Sequence, residues 1–136
     1  MGYIGQLPGT KALTASDIAD NLITSAKLNY SETALTDQAT ITWDASTEDV
    51  AKVTLGANRT LAAPSGTTPA AGQFIALTVI QDGTGSRTLT WNATYEFTAD
   101  TAPTLTTTAN KGDLFIFKYN GSKWLEVGRN LNLTLS

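Results

Sequence analysis

Gln73-Phe74-Ile75-Ala76-Leu77-Thr78-Val79-Ile80-Gln81-Asp82-Gly83-Thr84-Gly85-Ser86-Arg87-Thr88-Leu89-Thr90-Trp91 carries most of the information about fold class. Apolar side chains at Phe74, Ile75, Leu77, Val79 and Ile80 fall on both alternating faces, the pattern of a central strand buried on two sides. Gly83 and Gly85 bring positive φ within reach at no steric cost, so Asp82 to Ser86 reads as a turn. Beyond it, threonines alternate with Leu89 and Trp91, and the stretch predicts a β-hairpin.

The same pattern extends in both directions. Toward the C-terminus, residues 113–119 and 124–127 flank Asn120-Gly121-Ser122-Lys123, and Asn-Gly is the strongest short-range hairpin signal. The span 92–111 between the hairpins has room for one or two short edge strands near Phe97 and Leu105. Toward the N-terminus, Ile41 and Trp43 alternate with Thr40 and Thr42, and residues 50–55 form a second run that stops at Gly56-Ala57-Asn58, so the two read as a strand pair. A short strand at Leu61 precedes a loop in which Pro64 and Pro69 remove backbone donors. Twenty-four threonines, many at every second position, predict sheets with a threonine-covered outer face. Together these signals give an all-β chain, an antiparallel β-sandwich or squashed barrel of about seven to eight strands. Asn130 to Leu135 alternates as well, so Leu131, Leu133 and Leu135 are read either as a last edge strand or as an oligomer contact.

Residues 1–37 lack this periodicity and read as an extended docking arm, with residues 38–136 as the sandwich. Thr14 or Ser16 can cap a short helix that places Ile18 and Leu22 on one face. The apolar residues Tyr3, Ile4, Leu7, Leu13, Ile18, Leu22, Ile23 and Leu28 are then expected to find their partner surface on another chain. The competing reading folds the arm back over its own sandwich.

Composition excludes several function classes. A net charge of -3 with scattered basic residues argues against nucleic acid, whose phosphates are met by clustered Lys and Arg. No run approaches the roughly 18 apolar residues of a membrane span, and no secretory leader precedes the first turn signals, so synthesis in a cytoplasm is expected. The chain has no cysteine and no histidine, which removes disulfides, thiolate metal sites, the usual general base and the commonest metal ligand. No enzymatic activity, cofactor or metal is expected.

The remaining chemistry-bearing groups read mostly as structure. Asp44, Glu48 and Asp49 sit on a turn, where nothing sets the separation that a catalytic carboxylate pair needs. Asp82 lacks the further acids of a calcium loop, and Gly83 and Gly85 join strands where a phosphate loop would open a helix. Sequons at Asn29, Asn58, Asn92, Asn120 and Asn132 arise by chance in a threonine-rich chain. Trp43 and Trp124, inside strands, read as core. Trp91 and Tyr95 border a long loop and read first as core and, as the alternative, as glycan contacts.

The stretch from Gly72 to Trp91 resembles a β-domain found in many phage virion proteins, in which Gly-Gln opens a hydrophobic strand and Gln-Asp-x-x-Gly-x-Arg-Thr leads through the turn. Lys111-Gly112-Asp113-Leu114 and Tyr119-Asn120-Gly121-Ser122-Lys123-Trp124 are similar to its closing hairpin. Ala15 to Leu28 resembles segments of phage fibre and head-decoration proteins. The resemblance implies a virion protein, commonly trimeric, among tail-fibre modules, head fibres and capsid decoration or cement proteins. With only an arm and one sandwich in view, capsid decoration or a head fibre is the expected role, with the major capsid protein and neighbouring copies as partners. A tail-fibre component and a carbohydrate-binding module are the alternatives.

Overall fold

The computed structural model describes residues 31–135. By compactness the chain divides into Met1–Tyr30 and Ser31–Ser136. The expected short helix and the docking residues Tyr3, Ile4, Leu7, Leu13, Ile18, Leu22, Ile23 and Leu28 lie outside the described residues.

The described part is all-β and built from two sheets. Strands β1 (Thr33–Ala34), β3 (Val50–Leu55), β5 (Phe74–Gln81), β8 (Lys111–Tyr119), β9 (Trp124–Thr134) and β7 (Tyr95–Glu96) form the larger sheet in the order β1-β3-β5-β8-β9-β7. Strands β2 (Thr40–Ile41), β4 (Arg59–Leu61) and β6 (Leu89–Trp91) form the smaller one.

Pairing corrects the antiparallel expectation. β1, β3 and β5 run parallel, as do β2, β4 and β6. The chain therefore winds through three coils, each contributing one strand to each sheet. Neither β5 and β6 nor β2 and β3 form the hairpins expected of them, because each connection crosses between sheets. The corner after β5 shows the cause: the Gln81 side chain accepts from Arg87 N at 2.8 Å and donates to Arg87 O at 3.0 Å, standing in for a ladder partner. Gly85, with φ of 76°, lies so close under residues 107–109 that a Cβ would sit 2.5 Å from Thr107 O. The glycine pattern that predicts a hairpin turn serves a buried corner equally well.

Facing residues of the coils fill the interior. Ile41 and Leu61 from the smaller sheet meet Ala51, Val53, Leu55, Ile75, Leu77 and Val79 from the larger, all buried. On the outside of the smaller sheet, Thr40, Thr60 and Thr90 stand in register and exposed, the expected threonine face. β5 is central, but only one of its faces is fully covered, and Phe74 is 54% exposed.

The C-terminal hairpin forms as expected, around a turn in which Asn120 Oδ1 accepts from Ser122 N and Lys123 N. Its arm β8 adds antiparallel to β5, and β9 extends through residues 130–134. The span between the hairpins holds one short edge strand, β7, beside Phe97. Around Leu105 no strand forms, and Pro103 and Leu105 are buried as loop residues.

The sandwich begins before residue 38. β1 pairs with β3, Leu35 N donates to Lys52 O at 2.8 Å, and Asp37 takes a two-point contact from Arg59 at 2.7 and 2.8 Å. Asp37 and Asp82 both anchor coil corners, and hydrogen bonds from Arg59 and Arg87 respectively hold their carboxyls below the ordinary value, Asp82 at about 2. A carboxyl lowered on folding adds stability that is complete above its unfolded value, about 3.9, and disappears as pH falls through the folded one. The urea midpoint is therefore expected to drop between about pH 4 and about pH 2, and to drop less in Asp82→Asn. Equal drops in both proteins would remove the corner from the account.

Candidate functional site

Where β6 ends, the chain makes a tight turn and returns as β7 toward the other sheet. Asn92 sets that turn: its carbonyl accepts from Tyr95 N at 3.0 Å, and its side-chain oxygen from Thr94 N at 3.0 Å. After Phe97 the backbone passes through a second tight turn with Ala99 and Asp100 both in the left-handed region, at φ of 56° and 54°. The tip of the β8–β9 hairpin brings Lys123 to the same place. Together these segments enclose an open hollow of about 250 Å³ between Trp91, Glu96, Asp100 and Lys123.

Trp91 forms the apolar wall. Its ring packs edge-on against Tyr95, Phe97 and Phe115, with centroids 5.5, 5.2 and 5.0 Å apart, a geometry aromatic quadrupoles favour. Trp91 remains partly exposed, whereas Tyr95 is only 4% exposed. Of the two rings weighed between core and glycan contact, Tyr95 is a core residue and not a possible glycan contact: its hydroxyl donates to Ala62 O at 3.4 Å, and burial pushes its phenol up. Trp43 and Trp124 are buried in the core as expected.

The polar rim has a definite electrostatic order. Lys123 pairs with Glu96, and the hydrogen bond between them holds the Glu96 carboxyl down. Asp100 shares a hydrogen bond with Glu96, and that contact pushes the Asp100 carboxyl up. The arrangement suits binding through its donors and acceptors.

The other candidates fall into structural roles. Asp44 caps its own turn by accepting from Ser46 N at 3.0 Å, Asp49 accepts from Gln73 Nε2 at 3.0 Å, and no metal-holding group of acids is found among the described residues. Three of the sequon asparagines, Asn58, Asn92 and Asn120, spend their side-chain oxygen on backbone N–H groups. Leu131 and Leu135 are exposed, and Leu133 is half-buried, at the end of β9. β7 covers β9 only at Trp124 and Leu125, so the rest of that edge carries no strand among the described residues. Glu96, Asp100 and Lys123 escape a reading of the sequence, because Lys123 reaches Glu96 only through the closing hairpin.

A family model described as "Putative phage tail fibre C-terminal domain" matches residues 35–124, well over half of the chain. The chain belongs to this family. No curated protein and no solved structure matches it. The tail-fibre domain match takes in β2 to β8, the residues around the hollow and the turn of the closing hairpin, and the protein is a phage virion protein related to tail-fibre modules.

Proposed function

We propose that the protein is a component of a phage tail fibre, in preference to a capsid decoration or head-fibre protein. The observation that carries this reading is the tail-fibre domain match over residues 35–124. The coil architecture supports it: among the described residues, β1 and β2 are the outermost strands of the two sheets, so the described stack ends there on one complete coil. An edge of that kind suits continuation by further β-structure, as in a fibre. The decoration reading rests on the shortness of the chain, a weaker ground than a family match.

Immunogold labelling of purified virions with an antibody raised against the folded domain tests the proposal. Label confined to the fibres is the expected result. Label spread over the heads would replace it with capsid decoration and make the major capsid protein the partner, and unlabelled particles would overturn both.

A further inference from the structure

The two outer surfaces of the fold differ in kind. The smaller sheet shows solvent a row of threonines, whereas the outer side of the larger sheet is mostly aliphatic. Strand register sets Val50, Ala76 and Ile116 in one row, with Leu114 and Ile80 beyond it and Phe74 facing Lys118 before it. The core lies on the opposite side of the sheet: Ile75, Leu77 and Val79 of β5 belong to it, and Phe74, Ala76 and Ile80 do not. Among the described residues no strand lies over them. We propose that this face packs against the same face of a second copy of the chain.

An aliphatic patch left to water marks an interaction surface, the more so when polar groups rim it, as Lys52, Thr54 and Lys118 do here. Its size is sufficient for one. The eight residues of β5 at about 3.3 Å each, across four strands spaced about 4.8 Å apart, give a face of about 500 Å² per copy. Two copies face to face bury about 1,000 Å², the area at which a specific interface becomes stable.

Charge and shape both suit self-contact. The strands place two charges on the face, Lys52 and Lys118, and lysines of two copies repel unless they are neutralised or kept apart. Glu32 neutralises Lys52 through a salt bridge at 3.0 Å. Lys118 is exposed at the end of the face, where its ammonium reaches water past the contact while its stem stays on the sheet. The remainder is uncharged. Two sheets of this kind pack on each other about 10 Å apart, as the halves of a β-sandwich do, and a symmetry axis in front of the sheet satisfies every copy alike. A partner of acidic or strongly polar character would find little beyond Lys118 to recognise.

The test is sedimentation equilibrium of the full chain up to about 100 µM, a range that reveals micromolar association. A mass above that of the monomer is expected. Ile116→Glu, at the centre of the face, is expected to weaken association at least about thirtyfold, the effect of losing a well-packed central contact. Phe74→Glu is expected to act in the same direction, and since its carboxylate stands opposite Lys118 on the neighbouring strand, the monomer keeps its fold. Thr60→Glu, on the threonine face, is expected to leave the mass unchanged. An unchanged far-UV circular dichroism spectrum identifies the folded variants. Association that survives both substitutions on the aliphatic face, or that Thr60→Glu disrupts equally, would overturn the proposal. A monomer at every concentration would overturn it too, and leave the face to a partner other than a second copy. The result is independent of whether fibre or head carries the domain.

Discussion

Trp43→Ala is expected to lower the unfolding free energy by about 4 kcal/mol, a large share of the total that holds a domain of this size together. Trp43 is 1% exposed and sits at the corner where the first coil crosses from β2 toward β3. Its ring fills the end of the coil interior, and Nε1 donates to Glu48 O at 2.7 Å, fixing the loop that carries Asp44 and Asp49. Alanine removes both contributions and leaves a cavity that parallel coils, tied by strand register on both sides, cannot close. Trp43→Phe keeps most of the volume and loses the hydrogen bond, so its cost is expected to be about 1 to 2 kcal/mol. Urea unfolding followed by far-UV circular dichroism measures both. A loss below about 1.5 kcal/mol for alanine would mean that the corner collapses around the missing ring.

The contrast between Trp43 and Trp91 shows where a sequence reading succeeds and where it stops. Thr40-Ile41-Thr42-Trp43 and Thr88-Leu89-Thr90-Trp91 are near-repeats, and an internal repeat was the one available sign of coiled architecture. Strand register slips the two copies by two residues, since Thr40 aligns with Thr60 and Thr90, so Ile41 faces the position of Trp91. A slip of two preserves the buried and exposed faces but moves Trp43 beyond its strand into a buried corner, while Trp91 closes its own strand beside the hollow. Periodicity assigns the face correctly and is blind to the offset.

Local features were legible for the same physical reason. The β8–β9 hairpin is specified by Asn120 and Gly121, whose turn geometry depends on neighbours a few residues away. The exchange of strands between sheets depends instead on Gln81 reaching the backbone of Arg87 and on residues 107–109 covering Gly85, contacts that no pattern in the strands announces. The same holds for the rim of the hollow. Trp91 could be singled out by its position beside a loop, but the pairing of Glu96 with Lys123 exists only once β7 has aligned with the start of β9. Tyr95 is undecided between core and glycan contact in the sequence because adjacency to a loop says nothing about which way a turn rotates the next side chain.

Asp113→Ala is expected to cost about 3 kcal/mol, because it removes the charged acceptor of two part-buried backbone donors at once. Asp113 is 2% exposed, within β8, opposite a bulge that lets two residues of β9 face one of β8. One carboxylate oxygen accepts from Thr106 N at 2.7 Å and the other from Asn132 N at 2.9 Å. The side chain thereby fastens the long loop after β7 to the core and supports the left-handed conformation of Asn132 at the bulge. With alanine, both N–H groups lose the acceptor that the buried Asp113 side chain supplies. Asp113→Asn retains one acceptor oxygen and turns a donor toward the other N–H, so roughly half the loss is expected. Hydrogen exchange separates this local effect from general softening: the amides of Thr106 and Asn132 are expected to lose protection first, ahead of Leu77 and Val79 in the central strand. Uniform loss across all four would show that Asp113 supports the whole sheet instead of the loop and the bulge. Protection retained at Thr106 and Asn132 would show that the carboxylate does not hold them. The outcome also bears on the edge that carries Leu131, Leu133 and Leu135, since those residues lie at and beyond the bulge and keep their placement only while Asn132 is held.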